Sequence, residues 1–274
     1  MKSKPANKIQ DLQFFGEFGG VNPSISDSST YTFLSANSMS ETFEGNMEGC
    51  YLYSRNSSPS NLYLEEACAA MEGTEAANVF SSGMGAITST ILQLCKSGDH
   101  IISSRTVYGG TYAFLKNFTP QLGIETSFVN ITSLDDIKKS IKPNTKIIYC
   151  EVSSNPLLEI ADLKLISKIA KKNNLKLIVD NTFTPLSITP AKHGADIVIH
   201  SLTKFINGTS DTIAGVVCSN KEFIHSLRDV NDGAFMLFGA TMDSLRAASV
   251  LKNMRTLHIR MKKHSENALY LAKS

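Results

Sequence analysis

Residues 176–204 read Lys176-Leu-Ile-Val-Asp180-Asn-Thr-Phe-Thr-Pro-Leu-Ser-Ile-Thr-Pro-Ala-Lys-His-Gly-Ala-Asp196-Ile-Val-Ile-His200-Ser-Leu-Thr-Lys204. Two runs in this stretch, Leu177–Val179 and Ile197–Ile199, contain no polar residue and are rich in β-branched side chains. An unbroken apolar run predicts a strand buried on both faces, as in a parallel sheet, whereas a half-exposed strand would alternate. Each run ends in polar side chains, Asp180 after the first and Ser201, Thr203 and Lys204 after the second. In a parallel sheet such residues fall together on the carboxyl edge, where ligands bind.

The same pattern extends in both directions. Residues 76–80 (AANVF), 100–104 (HIISS), 124–129 (IETSFV), 146–151 (KIIYCE) and 213–218 (IAGVVC) also read as strands. Helical patterns lie between them, most clearly over Asn61–Met71, Met84–Cys95, Leu134–Ile141 and Leu163–Asn173. Alternation of strand and helix predicts an α/β fold: a mostly parallel central sheet flanked by helices, joined by right-handed crossovers. The first sixty residues differ. Residues 16–33 are rich in Gly, Ser, Asn and Pro with no sustained period, so residues 1–60 are expected to form an extended arm that lies on something, such as a neighbouring subunit. The helical pattern from Thr241 to Ala272 reaches Ser274 without a Gly or Asn cap, as though the element continued. The expected organisation is an arm over 1–60, a large domain over 61–255, and the start of a linking helix over 256–274.

A chain of 274 residues with 42% hydrophobic content has enough apolar side chains for one large core. The 27 Lys and Arg against 25 Asp and Glu leave a net charge of +2, which predicts no nucleic-acid or anionic-membrane partner and leaves a small molecule as the expected one. Five widely spaced cysteines with no CxxC pair predict neither a disulfide framework nor a zinc site, and fit a reducing cytoplasm. The sequence has no apolar leader region and no run long enough to span a membrane.

Four segments at the predicted strand ends carry chemistry. In Ser81-Ser82-Gly83-Met84-Gly85, small residues open a helix whose free amides suit a phosphate, although the same string also describes an ordinary glycine-rich turn. Asp180 ends a hydrophobic strand, where a carboxylate is costly unless something cationic faces it; an N-capping role is the alternative. Lys204, flanked by Ser201 and Thr203, follows a buried-looking strand, and a partly desolvated lysine becomes a usable amine nucleophile, a solvated surface lysine being the alternative. Asn155 lies on the loop after another strand, where its amide can donate to a phenolate oxygen, and Tyr108 stands beside Gly109 and Gly110, where its ring can stack on a flat heterocycle; a turn-forming Asn before Pro and a core Tyr are the alternatives. Jointly the four supply a covalent lysine, an acidic partner for a pyridine nitrogen, an anion cradle and a stacking ring, the requirements of pyridoxal phosphate chemistry.

On these residues the sequence resembles the Cys/Met-metabolism pyridoxal-phosphate (PLP) enzymes, which include cystathionine γ-synthase, cystathionine γ- and β-lyases, methionine γ-lyase and the acylhomoserine sulfhydrylases. The resemblance runs from about Val21 to the last residue. The family's lysine signature stands as Asp196-Ile-Val-Ile-His-Ser-Leu-Thr-Lys204-Phe-Ile-Asn-Gly208, with Thr209 where His or Gln is usual. The resemblance implies the large domain of the fold type I PLP enzymes and γ-elimination or γ-replacement on sulfur-containing or O-acylhomoserine amino acids. By the same resemblance Lys204 carries the cofactor and Asp180 pairs with its ring nitrogen, while Ser82, Gly83, Met84, Ser201 and Thr203 hold its phosphate. Asn155 would bond its phenolic oxygen, and Tyr108 would stack on the ring and serve as a proton donor. Tyr53 and Arg55, in the family's Tyr-x-Arg stretch, would reach the phosphate of an adjacent subunit, which implies a dimer or tetramer. No metal is implied. Gly110 replaces the cysteine usual in methionine γ-lyases and leans towards the cystathionine enzymes or sulfhydrylases. The family also has a smaller C-terminal domain, which supplies an arginine for the substrate carboxylate and of which nothing is expected before Ser274. A shortened, catalytically impaired member is therefore one alternative. A short-chain dehydrogenase is another, from the Tyr-xxx-Lys spacing of Tyr112 and Lys116, but the required glycine-rich turn is incomplete at Thr88.

Overall fold

The computed structural model describes residues 4–33, 35–44 and 49–274. Seven strands, β1 (Ala76–Phe80), β2 (His100–Ser104), β3 (Glu125–Val129), β4 (Thr145–Glu151), β5 (Lys176–Asp180), β6 (Ile197–His200) and β7 (Gly215–Ser219), form one sheet in the order β1-β7-β6-β5-β4-β2-β3. The strands expected from the apolar runs are all present, with ends that move by a residue or two. Every pairing is parallel except those of β7, which runs antiparallel to both β1 and β6. The reason lies in the connection. Residues 201–214 make turns but no crossover helix, so the chain re-enters the sheet in the opposite direction.

Side chains alternate across the sheet and both faces are covered. Ile178, Ile197 and Ile199 pack on one face with Ile87 and Ile91 of the helix Gly83–Leu94. Leu177 and Val179 pack on the other face with Ile166 and Ala170 of the helix Leu163–Lys172, and Val198 with Leu64 and Met71 of the helix Pro59–Glu72. Burying each Ile or Val contributes roughly 1.5–3 kcal/mol. A one-residue slip would exchange the two faces, so the register, and with it the set of residues at the carboxyl edge, is firmly held.

Three helices that pack on the sheet begin on side-chain caps. The hydroxyl of Ser58 accepts from the Asn61 amide, with Pro59 in the first turn, that of Ser82 from Gly85, and the Asp162 carboxylate from Leu165. Two regions depart from the sequence reading. The arm is not uniformly extended: Pro5–Asp11 is a helix whose Ile9 is buried in the cluster of Leu64 and Met71, and Ala36–Phe43 is a second helix capped by Ser35. Residues 1–3, 34 and 45–48 of the arm lie outside the described residues. The C-terminal stretch is two helices, Ser244–Met254 and Leu257–Lys273, broken at Arg255 and Thr256. Among the described residues no helix is long and apolar enough to cross a membrane.

Candidate active site

At the carboxyl edge of the parallel strands the sheet opens into a cleft of about 1090 Å³. Successive strands deliver its walls. After β1, Ser82 caps the helix Gly83–Leu94, and the exposed first-turn amides of that helix make one end of the cleft suited to an anion. Gly83 is required by packing: a Cβ there would lie 2.8 Å from the Ser201 Cβ, so only glycine lets the β1 and β6 turns close on each other.

After β2 comes Tyr108, half exposed, whose backbone N–H donates to Glu151 Oε1 at 2.6 Å. Glu151 ends β4, and its second oxygen, Oε2, accepts from the Asn155 N–H at 3.2 Å. Burial and the neighbouring Asp180 charge push the Glu151 carboxyl up to about 7, against the opposing pull of the two amide bonds. Asp180, at the end of β5, is 8% exposed. Its Oδ1 accepts from the Thr182 N–H at 2.9 Å and its Oδ2 from the Tyr149 hydroxyl at 3.4 Å. Burial raises its pKa above the usual aspartate value, while the bonds from Thr182, the nearby His200 and Tyr149 act in the opposite direction.

The turn after β6 carries Ser201, Thr203 and Lys204. The Ser201 N–H donates to Thr182 Oγ1 at 2.7 Å, which locks this turn to the one after Asp180. The Thr203 hydroxyl donates to the Ala214 carbonyl at 3.1 Å and accepts from the Ala214 N–H at 2.9 Å, so it already spans the loop to β7. The Lys204 side chain lines the cleft but is exposed, not partly desolvated as the sequence suggests, because the turn after β6 opens to solvent. Among the described residues no hydrogen bond or ion pair engages its amine. Arg260, from the helix Leu257–Lys273, donates to the carbonyls of Phe205, Ile206 and Asn253 and so pins the chain that follows Lys204.

The structure thus brings Ser82, Gly83, Met84, Tyr108, Asn155, Asp180, Ser201, Thr203 and Lys204 into one cleft. Tyr53 and Arg55 stand apart from it. Tyr53 bridges to Thr30, the Arg55 guanidinium sits 5.4 Å from the Tyr53 ring centre, and the Arg55 carbonyl accepts from Thr241 Oγ1. Tyr112 and Lys116 also lie outside the cleft, with the Tyr112 ring 4.8 Å from that of Phe128, so the dehydrogenase alternative has no proton relay there. Of the cleft residues that the sequence reading did not single out, Glu151 and Arg260 do most to hold its walls. Glu151 was legible in principle, because it ends its strand as Asp180 does. Arg260 was not, because it arrives from a distant helix.

Asp180 tests whether these residues fit PLP. It is a buried carboxylate, and among the described residues no cationic side chain forms an ion pair with it; a protonated ring nitrogen would supply that partner. The helix start suits the phosphate, and the Lys204 amine is available to a carbonyl. The residues present fit the group.

Fold and cleft together define an α/β protein with a site for a flat, phosphorylated, carbonyl-bearing cofactor. A family model for the Cys/Met metabolism PLP-dependent enzymes matches residues 8–274, and the chain belongs to that family. Methionine gamma-lyase of Arabidopsis thaliana is 42% identical over 270 residues, covering 96% of this chain and 61% of the relative. Cystathionine gamma-lyase of Bacillus subtilis is 42% identical over 224 residues, covering 81% of this chain and 58% of the relative. Among solved structures, a putative O-acetylhomoserine (thiol)-lyase from Campylobacter jejuni, which carries an N'-pyridoxyl-lysine-5'-monophosphate, matches with a TM-score of 0.90 at 28% identity, over 99% of this chain and 75% of that one. The chain spans about six tenths of the length of the curated relatives it matches. The methionine gamma-lyase covers more of this chain than the cystathionine gamma-lyase at the same identity, so the matches lend no support to the lean taken from Gly110. Its local effect is steric: a Cβ there would lie 2.6 Å from Cε1 of Tyr108.

Proposed function

We propose that this chain is the cofactor-binding part of an enzyme that uses PLP for γ-elimination or γ-replacement on sulfur-containing or O-acylhomoserine amino acids. The observation that carries the proposal is the meeting, in one cleft, of the Lys204 amine, the buried Asp180 carboxylate and the start of the helix Gly83–Leu94. When bound, PLP supplies an electron sink next to the substrate amino group.

The remaining roles belong to this chain. Lys204 would hold the cofactor and, once freed, its amine would take the proton from the substrate Cα and move protons at Cβ. Asp180 keeps the ring nitrogen protonated, and Asn155 donates to the phenolic oxygen. Ser82, Ser201, Thr203 and the amides of Gly83 and Met84 hold the phosphate. For Thr203 this requires its hydroxyl proton to leave the Ala214 carbonyl. Tyr108 covers the ring and hands a proton to the departing sulfur or acyloxy group.

Tyr53 and Arg55, which stand clear of their own cleft, serve the site of a second copy in a dimer or tetramer. A cytoplasmic setting agrees with five free cysteines.

The test is the visible absorbance of the chain with added PLP, before and after borohydride reduction, with peptide mapping of the reduced adduct. A reduced pyridoxyl label on Lys204, lost in Lys204→Ala, is the expected result. A label at another lysine, or no band in a folded chain, would overturn the reading.

A further inference from the structure

We propose that Glu151 is a positioning residue whose buried carboxylate ties the turn carrying Tyr108 to the turn carrying Asn155, fixing the ring and the amide relative to each other. This deepens the proposed function and rests on it, since those two side chains matter together only if they meet one ligand.

Glu151 is 8% exposed and follows the fully buried pair Tyr149 and Cys150 on β4. A carboxylate is expensive to bury, and a residue needed only for packing at the end of an apolar strand would be apolar. What compensates the burial is two hydrogen bonds from two different loops: Tyr108 N–H to one oxygen at 2.6 Å and Asn155 N–H to the other at 3.2 Å. Bonds to an ionised acceptor are about twice as strong as neutral ones. The Tyr108 turn is also held upstream, where the Ser104 hydroxyl bonds the Thr106 backbone and the exposed Arg105 pairs with Glu159 at 3.4 Å. The helix Gly109–Ala113 begins with no side-chain cap, however, and Glu151 is what bonds Tyr108 itself at its amide. The Asn155 turn is braced on its far side by Ser154, whose hydroxyl and backbone N–H both bond Glu159, and Glu151 braces the near side.

The chemistry of the group is specific. An ionised carboxylate is an acceptor at both oxygens and receives both amides at once. A glutamine of the same shape offers one oxygen and turns an NH2 towards the other amide, so it keeps one tie and breaks the second. Protonation has a related effect, because one oxygen then becomes a donor. The titratable groups near Glu151 are Asp180 from β5 and, on its own strand, Tyr149 and Cys150, whose burial raises their pKa values and keeps them neutral, with Lys204 lining the same cleft; from the β2 turn only the Tyr108 backbone faces it. With the carboxyl titrating at about 7, the double tie is complete above that pH and is lost as the pH falls through it.

The experiment compares amide hydrogen exchange in the full chain, as wild type, Glu151→Gln and Glu151→Ala, at pH 6 to 8, with and without PLP. In Glu151→Gln, protection of segments 105–113 and 152–158 is expected to fall about tenfold at pH 8, with β4 and β5 unchanged. Wild type should lose that protection on going to pH 6, whereas Glu151→Gln should show no such step. In parallel the variant should bind PLP about tenfold more weakly, with an altered visible circular dichroism. Wild-type protection of both turns in Glu151→Gln would overturn the proposal. So would loss of protection spread evenly over turns and strands, which marks a residue that only holds the fold. If Glu151→Ala does not fold, the near-isosteric Gln variant still decides. Failure of wild type to bind PLP would sink the proposed function, while the exchange contrast without cofactor would still test the tie.

Discussion

Glu151 and Asp180 occupy paired positions at the ends of β4 and β5, so two carboxylates stand side by side on neighbouring parallel strands at the base of the cleft. They are held differently. Glu151 is bonded by backbone amides of two different turns, whereas Asp180 is bonded by the Thr182 amide of the turn that follows it and by the buried Tyr149 hydroxyl. The first arrangement fixes loops, and the second leaves a carboxylate suited to a cationic ligand.

The first prediction concerns pH. In the unfolded chain Glu151 loses its proton near 4.5, and in the folded chain at about 7. Between those values the folded state binds more protons, so its stability falls as pH rises through the window. Relative to Glu151→Gln, wild type without added PLP is expected to lose on the order of 3 kcal/mol between pH 4.5 and pH 8. Urea denaturation of both proteins at the two pH values measures it, and a constant difference would refute the assignment.

Gly83 and Gly109 provide a matched pair. A Cβ at Gly83 meets Ser201 at 2.8 Å, whereas nothing lies within 4 Å of one at Gly109. Gly83→Ala is expected to cost about 1–3 kcal/mol and to weaken PLP binding by forcing the β1 and β6 turns apart. Gly109→Ala should stay within about 0.5 kcal/mol of wild type. Denaturation midpoints and a PLP titration of both variants check the contrast.

Arg260 reaches the chain after Lys204 from the helix Leu257–Lys273, and a Cβ at Gly208, whose φ is +77°, would collide with its guanidinium. Arg260→Ala removes the donors to Phe205, Ile206 and Asn253. The expected cost is about 2 kcal/mol, together with slower labelling of Lys204 by PLP and borohydride. Unchanged stability and labelling rate would show that the turn holds itself.

Away from the cleft, Arg228 pairs with the buried Glu65 at 2.5 Å, and Glu65 also accepts from the Val79 N–H at 3.1 Å in β1. Arg228→Ala leaves a buried carboxylate without its cation and is expected to cost about 3 kcal/mol. Adding Glu65→Gln to that variant should recover part of the loss. A double-mutant cycle by urea denaturation measures both.

Much of this architecture was written locally. The unbroken runs Leu177–Val179 and Ile197–Ile199 declared strands buried on two faces, and Asp180 and Lys204 stood out as polar residues at their ends. The helix Gly83–Leu94 was announced by Ser82 and its glycines. In each case the signal lies within a few residues, where backbone preference and side-chain chemistry act together. The N-terminal helix Pro5–Asp11 was less legible, because so short a segment is helical only by docking Ile9 on the core.

The sequence by itself determined the chemistry available to this protein: one lysine and one aspartate at strand ends, a glycine-rich helix start, and apolar runs that had to be covered on both sides. Only the tertiary structure decided which of these meet. The reversal of β7, the strand order, the pairing of Glu151 with Asp180, the tie from Glu151 to Tyr108 and Asn155, and the arrival of Arg260 beside the Lys204 turn all join residues far apart in the chain. Burial of apolar surface drives the chain together without direction, and the partners are then chosen by sheet register and by the need of each buried polar group to be bonded.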